Sequence, residues 1–331
     1  MTGITRAIEL TPEHSLERIA DLAALAEAEG FDAAFSSSHY FNRDPFVALS
    51  RMADATDELR LGPGVVNPYD SHPVSLAGRA ATIDEVSGGR GLFGIGPGDR
   101  STLANLGIEH DRPLRRVLES FNVARTLWAG ETVTHEGTFT ARDASLNLEP
   151  REIPVYVGAQ GPHMIRMSAK HADGALINAA HPADLEWAAE QVEIGLEERP
   201  DEYGAFEALA FASVSVAADA DEAREAARPP VAFIAGGAAE PVLERHGIDR
   251  EAASAVSEAL ERGELGEAFG HVTPEMIDAF CVAGTTDEVA ERFDAISEHV
   301  DGIVVGSPLG PDLEDAVVRA GEALDRVYSG R

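Results

Sequence analysis

Residues 91–99 read GLFGIGPGD, an apolar run that ends in three alternating glycines, a proline and an acid. A short apolar run followed at once by glycines is typical of a buried parallel strand whose next turn approaches another group closely. Two interpretations are open for this turn. It holds a phosphate, as glycine-rich loops after strands often do, or it brings a different group against the backbone.

The spacing within the turn argues against a phosphate loop. Gly94 and Gly96 match the start of a dinucleotide-binding fingerprint, but Asp99 stands where its third glycine belongs. Pro97 lacks the backbone N–H that a phosphate would need, and the carboxylate of Asp99 repels phosphate. We therefore predict that this turn presents a carboxylate to a closely approaching ligand.

The same pattern of a short apolar strand followed by a helix recurs along the chain. Strands are predicted over residues 4–10, 31–38, 59–66, 91–96, 153–159, 174–180, 211–217 and 301–306. Such alternation fits a doubly wound sheet or a (β/α)₈ barrel. Because the strands are short and no dinucleotide fingerprint follows the first one, we predict an α/β protein with a (β/α)₈ barrel. Thr11-Pro12-Glu13 is predicted to cap the first helix, which Gly30 ends.

We expect one barrel domain over residues 1–331, although two domains also fit this length. Two segments depart from the strand–helix rhythm. Residues 133–148 are predicted to form a hairpin, inserted near 130–150. Residues 218–283 are predicted to form two or three consecutive helices that cover one barrel end or a subunit contact.

Acidic residues dominate the composition. The chain has 58 Asp and Glu against 26 Lys and Arg, a formal net charge of −32, and Lys170 as its one lysine. A surface of this kind suits a very salty cytoplasm, where charges are screened; an ordinary acidic protein with an arginine-biased genome is the alternative. The same charge repels polyanions, so we expect no nucleic-acid partner.

Several kinds of site and location are not expected. No run of eighteen apolar residues and no signal-peptide pattern occurs, so we expect a cytoplasmic protein with no membrane partner. Cys281 is the single cysteine, which excludes internal disulfides and cysteine-cluster metal sites. The histidines have no metal-ligand spacing, and no G-x-S-x-G motif supports hydrolase chemistry, so no metal is predicted.

Candidate functional residues follow the predicted strands. In a barrel the active site lies at the carboxyl ends of the strands. Glu9 lies between Ile8 and Leu10, so we predict that it faces the barrel interior, as a proton donor or as an ordinary paired carboxylate. For His39 two roles are open: it contacts a ligand, or it only caps its loop. The glycines of GAQGP (158–162) leave N–H groups for a phosphate, or form a plain strand-to-helix turn.

Several segments together resemble a known family. In this order they are GPGVVNPY (62–69), EVSGGRGLFGIGPGD (85–99), IPVYVGAQGP (153–162), ADGALINAAHP (172–182) and VAFIAGGAAEPVLERHGI (231–248). They resemble the luciferase-like superfamily and, within it, the methylenetetrahydromethanopterin reductases that depend on the deazaflavin coenzyme F420. The resemblance runs from about residue 4 to the C-terminus. GIGPGD with GAQGP is fairly specific to the reductase branch, whereas GTTDEV (284–289) is shared more broadly.

The resemblance implies a (β/α)₈ barrel with insertions, assembled as a homodimer or a larger homo-oligomer, with a non-prolyl cis peptide at Gly64-Val65. It implies hydride transfer from reduced coenzyme F420 to the methylene group of a small-molecule methylene-pterin; FMN is the less favoured cofactor. Glu9 and Asp99 match the family's carboxylates, Glu9 as proton donor and Asp99 as electrostatic and positioning residue, with the reverse assignment open. The implied cofactor-binding residues are His39, Gly64, Val65, Asn67, Gly96, Gly98, Gly158, Ala159, Gln160, Gly161, Asn178, Ala179 and His181.

One departure from the family pattern bears on the cofactor. Ser38 stands where family members commonly carry an Asp before the histidine, so either the serine hydroxyl holds the ring or the cofactor preference has changed. Arg43 and Arg100, or molar salt, are expected to offset the charge of a polyanionic cofactor. Tetrahydromethanopterin and tetrahydrofolate both remain open as the pterin. The alternatives are a deazaflavin-dependent alcohol or sugar dehydrogenase, a flavin monooxygenase and a non-catalytic flavin-binding barrel.

Overall fold

The computed structural model describes residues 3–149 and 151–329. Its strands are β1 (Arg6–Glu9), β2 (Ala33–Ser36), β3 (Arg60–Pro63), β4 (Phe93–Ile95), β5 (Val133–Glu136), β6 (Thr140–Ala144), β7 (Val155–Ala159), β8 (Gly174–Asn178), β9 (Glu207–Val216), β10 (Val282–Gly284) and β11 (Gly302–Leu309). Its helices are α1 (Leu16–Ala28), α2 (Pro45–Ala55), α3 (Pro73–Val86), α4 (Arg100–Asn105), α5 (Pro113–Trp128), α6 (Pro162–His171), α7 (Pro182–Leu196), α8 (Ala220–Gly237), α9 (Glu240–Arg245), α10 (Arg250–Glu261), α11 (Leu265–Gly270), α12 (Pro274–Phe280), α13 (Thr286–Ile296) and α14 (Leu313–Tyr328).

Parallel strands form a nearly closed barrel. They pair in the order β3-β2-β1-β11-β9-β8-β7-β4, and β10 extends the sheet beside the end of β9. Isolated parallel bridges, Leu61 with Gly91 and Val66 with Ile95, join the two ends of this order. The predicted (β/α)₈ barrel is therefore confirmed.

Side chains alternate between the barrel interior and the helix layer, as a strand period of two requires. Ala7 of β1 packs inside with Phe35, Tyr156 and Val304, whereas Ile8 packs outside against the helices. Burying each of the larger side chains contributes roughly 1.5–3 kcal/mol. Because Glu9 follows Ala7 by two residues, its side chain lies on the interior side.

The first helix begins later than the sequence predicted. Ser15 caps α1, and its hydroxyl accepts a hydrogen bond from the N–H of Arg18 at 3.2 Å. Thr11 does not cap this helix, because its hydroxyl bonds to Glu9 inside the barrel end. Gly30, at φ +80°, turns the chain after the helix as predicted.

Two segments lie outside the repeating units. The antiparallel pair β5–β6 stands between α5 and β7. Between β9 and β10 the described chain forms α8 to α12, five helices where the sequence predicted two or three. Helices of six or seven residues, such as α9, α11 and α12, cover fewer than two turns, which is too short for a repeating hydrophobic pattern to identify them. This helical segment has its own buried cluster, which includes Val231, Val256, Met276 and Phe280.

Candidate active site at the carboxyl ends of the strands

A cavity of about 380 Å³ opens at the carboxyl ends of the barrel strands. It is lined by most of the residues that the sequence analysis singled out: His39, Gly64, Val65, Asn67, Gly98, Asp99, Gly158, Ala159, Gln160 and Asn178. Five others lie outside its lining: Glu9, Gly96, Gly161, Ala179 and His181. The structure therefore brings the loops after β2, β3, β4, β7 and β8 around one space.

The glycines of β4 and β7 make room for Val65. The peptide bond between Gly64 and Val65 is cis, as the resemblance implied. A Cβ atom on Gly96 would lie 2.6 Å from Val65 Cγ2, and one on Gly158 would lie 3.1 Å from the same atom. Gly96 therefore leaves room for the side chain of Val65. Val65 and Gly158 line the cavity, whereas Gly96 lies outside its lining.

Asp99 is held as an oriented carboxylate at the start of α4, a helix that the sequence analysis did not predict. Its Oδ1 accepts hydrogen bonds from the hydroxyl of Ser101 at 2.6 Å and from the N–H of Thr102 at 2.7 Å. Partial burial acts to raise the pKa of Asp99, but these bonds and nearby His39 outweigh it, so the pKa lies below its ordinary value. Asp99 is a fixed negative charge in the cavity wall.

His39 presents an unsatisfied nitrogen. Its Nδ1 is buried and has no hydrogen-bond partner among the described residues, while its ring stacks on Phe41 at 4.9 Å between centroids. A buried polar atom without a partner is costly in a folded protein. Because His39 lines the cavity, its ring fits a polar ligand edge there.

The Glu9 carboxylate is enclosed by hydrogen-bond donors at the barrel end, outside the cavity lining. Only 3% of its surface is exposed. Its Oε1 accepts from the Thr11 hydroxyl at 2.7 Å, and its Oε2 accepts from the Ser307 hydroxyl at 2.7 Å and the Ser307 N–H at 3.2 Å. The Thr11 and Ser307 hydroxyl oxygens are themselves 2.6 Å apart. A chain of hydroxyl groups therefore surrounds the one carboxylate that points into the barrel from β1.

The turn after β7 leads into α6, whose first residue, Pro162, has no N–H, and the N–H of Met164 donates to the carbonyl of Gly161 at 3.1 Å. Gly161 is the N-cap of α6 and supplies no side-chain cap, and a Cβ on it would meet nothing within 4 Å. The first N–H groups of a helix lack partners inside it and carry the positive end of its dipole. The N–H groups of Gly161 and His163, which have no partner among the described hydrogen bonds, are open to an anionic group at this end of the helix, and Gly158 to Gln160 connect it to the cavity.

His181 turns away from the cavity towards the helical segment. It caps α7 by accepting from the N–H of Ala183 at 3.1 Å, and its ring lies 4.7 Å from that of His246. Burial, together with Arg292 and His246, lowers the pKa of His181. His246 in turn bonds Asp184 at 2.8 Å, so these contacts join the loop after β8 to the helical segment.

Comparisons with known proteins assign the chain to a family. The model of the luciferase-like monooxygenase family matches residues 2–301. The chain belongs to this family.

Within the luciferase-like family the chain is similar, over nearly its full length, to 5,10-methylenetetrahydromethanopterin reductases. The 5,10-methylenetetrahydromethanopterin reductase of Archaeoglobus fulgidus is 42% identical, over 96% of this chain and 97% of the relative. The enzyme of the same name from Methanopyrus kandleri is 36% identical, over 98% of each. The solved structure of the coenzyme F420-dependent tetrahydromethanopterin reductase from Methanopyrus kandleri superposes with a TM-score of 0.90 at 35% identity, covering 97% of this chain and 98% of that one.

The luciferase-like barrel also brings residues to the cavity that the sequence analysis missed. Asp70 and Tyr40 line it, as does Phe211 of β9. Asp70 follows directly after the quoted segment GPGVVNPY, and a search for acids in the whole loop after each strand would have found it. Phe211 lies inside a strand with no polar marker, so only the pairing of β9 reveals its position.

The charge of this luciferase-like site is negative. Among the described residues that line it are two carboxylates, Asp70 and Asp99, and no lysine or arginine. Arg43 instead donates to the carbonyl of Glu13 at 2.6 Å, and Arg100 is exposed at the start of α4 outside the lining. Neither arginine predicted to offset a polyanionic cofactor therefore reaches the cavity.

No cluster of three potential metal ligands occurs within residues 3–149 and 151–329. In the same described part of the chain, none of the helices has the length and apolar character needed to cross a membrane.

Proposed function

We propose that this protein transfers a hydride from reduced coenzyme F420 to the methylene carbon of 5,10-methylenetetrahydromethanopterin, which becomes a methyl group. The observation that carries the proposal is the cavity that holds Asp99 as an oriented anion, in a chain 42% identical to a reductase of that name. An anion fixed in advance beside a substrate that becomes an iminium cation favours the transition state, because it needs no reorganisation when charge develops.

The residues present fit the deazaflavin. The Nδ1 of His39, which has no hydrogen-bond partner among the described residues, matches a polar edge of its ring, and Ser38 also lines the cavity. Gly158 to Gly161, together with the N–H group of His163 at the start of α6, suit a phosphate group. The bound coenzyme would supply the hydride.

The two carboxylates differ in the part that each plays. Asp99 stays ionised and stabilises positive charge on the substrate, because its hydrogen bonds and His39 lower its pKa. Glu9 supplies the proton for the nitrogen released when the methylene bridge opens. Two observations support this role for Glu9. Its side chain lies on the interior side of β1, and it contacts the hydroxyl groups of Thr11 and Ser307, which connect it to the barrel end.

Anaerobic turnover in high-salt buffer tests the proposal. Oxidation of reduced coenzyme F420 is followed with methylenetetrahydromethanopterin and methylenetetrahydrofolate in parallel. As controls, reduction of oxidised coenzyme F420 is followed with a secondary alcohol and with a sugar phosphate, because these substrates donate a hydride. We expect methyl-pterin to form only with a methylene-pterin. Turnover confined to the alcohol or the sugar phosphate would reject the reductase and leave a dehydrogenase, and turnover with FMNH₂ in place of the deazaflavin would reject the cofactor.

We further propose that the protein works in the cytoplasm as a homo-oligomer with a single luciferase-like domain. Exposed apolar side chains support an interface between copies: Phe233 is 58% exposed and Leu265 is 47% exposed on the helical segment. Light scattering in molar salt measures the assembly. A monomer at micromolar concentration would count against this proposal.

A further inference from the structure

We propose that Asp70 binds the aminopyrimidinone edge of the pterin and thereby sets the substrate class of this site. This inference rests on the proposed function. That edge presents two N–H donors side by side, N3–H and one from the 2-amino group. A carboxylate accepts such a parallel pair with both of its oxygens, as it does from the fork of an arginine.

The hydrogen bonds already made by the two cavity carboxylates distinguish them. Oδ1 of Asp99 accepts from both Ser101 and Thr102, so the inner oxygen of that carboxylate is occupied. The side chain of Asp70 accepts one hydrogen bond in the described structure, at Oδ2 from Nδ2 of Asn67 at 3.0 Å, and makes no ion pair with a described residue. A carboxylate has about four acceptor positions, so Asp70 keeps positions on both oxygens.

The turn that carries Asp70 is held rigidly. Oδ1 of Asn67 accepts the N–H groups of Tyr69 at 3.0 Å and Asp70 at 3.1 Å, which fixes its amide group so that Nδ2 faces Asp70. Arg116 donates to the carbonyl of Pro68 at 3.0 Å and stacks on the Tyr69 ring at 4.6 Å. A binding group that is oriented before its ligand arrives loses little entropy on binding.

The turns of Asp70 and Asp99 are tied to one another. The Tyr69 ring lies 5.2 Å from the His110 ring, and Nε2 of His110 bonds the carbonyl of Pro97 at 2.9 Å. Both carboxylates line the cavity, and no lysine or arginine in the described part of the chain joins that lining to neutralise them. Asp70 therefore holds the flat end of the pterin while Asp99 faces its reacting end.

The test compares Asp70→Asn with Asp201→Asn, which removes one exposed charge outside the cavity. Tetrahydromethanopterin binding is measured by calorimetry and deazaflavin binding by fluorescence, both without turnover. We expect Asp70→Asn to weaken pterin binding and raise the pterin KM by about 10- to 100-fold, with kcat changed less than threefold and deazaflavin affinity unchanged. Asp201→Asn should match the parent protein.

A pterin analogue with hydrogen in place of the 2-amino group completes a double-mutant cycle. The analogue should bind the parent protein more weakly, and the loss that it causes should be smaller in Asp70→Asn, because the hydrogen bond from the 2-amino group to the Asp70 carboxylate is already absent there. Unchanged pterin affinity in Asp70→Asn, or losses that simply add, would overturn the inference. Because binding is measured without turnover, an inactive parent protein that still binds the pterin through Asp70 would reject only the proposed reaction.

Discussion

Two carboxylates at the same end of one barrel differ in almost every physical property. Glu9, beside β11, is buried and enclosed by hydroxyl groups and one N–H, outside the cavity lining. Asp99, after β4, is an exposed helix cap that lines the cavity. The capped position of Asp99 suits a permanent charge, and the hydroxyl groups around Glu9 support its proposed role as the proton donor, so the two positions support different proposed roles for the two carboxylates.

The largest expected effect concerns the many exposed carboxylates that resemble Asp99. With a net charge of −32, we expect the protein to unfold in dilute buffer and to refold in molar KCl, because salt screens the mutual repulsion. Circular dichroism during dialysis between the two buffers measures this. Full stability without salt would favour the ordinary acidic protein over the salt-adapted one.

Glu9→Gln tests the proton-donor side of the comparison. The amide keeps the shape of the side chain and can still form hydrogen bonds with Thr11 and Ser307, but it has no acidic proton to transfer to the substrate. We expect methyl-pterin formation to fall by about 10²- to 10⁴-fold, the usual loss for a general acid. Deazaflavin binding, measured by fluorescence, should match the parent. An active Glu9→Gln variant would remove Glu9 from the reaction.

Asp99→Asn tests the fixed-charge side. Asparagine also caps helices well, so the variant should fold normally. We expect kcat to fall by about 10²-fold, as when one preorganised electrostatic group is lost. The pKa of Asp99 is lowered, so its carboxylate stays charged on acidification through about pH 5, and the ratio of parent to variant kcat should stay constant over that range. The ratio should decline only below the ordinary carboxyl pKa of about 3.9, where the protein must still be folded for the measurement. A ratio that declines near neutral pH would show that Asp99 is not a permanent anion.

Gly96→Ala gives the smallest expected effect and tests the packing below the cavity. The new methyl group would lie 2.6 Å from Val65 Cγ2, so we expect a loss of about 1–3 kcal/mol in the free energy of unfolding. Adding Val65→Ala should recover part of that loss. Gly237→Ala is the control, since its new methyl group would meet nothing within 4 Å. Equal stabilities for both alanine variants would contradict the packing argument.

The sequence predicted the fold well because strand and helix periods are local properties. The barrel, the turn at Gly30 and most of the cavity lining follow from positions at strand ends. Helix α4 was missed because its six residues directly follow a glycine-rich turn, and the direction of His181 depends on His246, which lies more than sixty residues away. No prediction from the sequence included Asp70, because it lies seven residues beyond the end of β3 and only the fold of the turn brings it back to the cavity.

The contact of Tyr69 with His110, and of His110 with Pro97, has a consequence for the rate of ligand capture. Two loops that are already joined have no closing motion to complete before a pterin can enter between them. Association should then be a single concentration-dependent step in stopped-flow traces, with no slower phase that levels off as pterin is added.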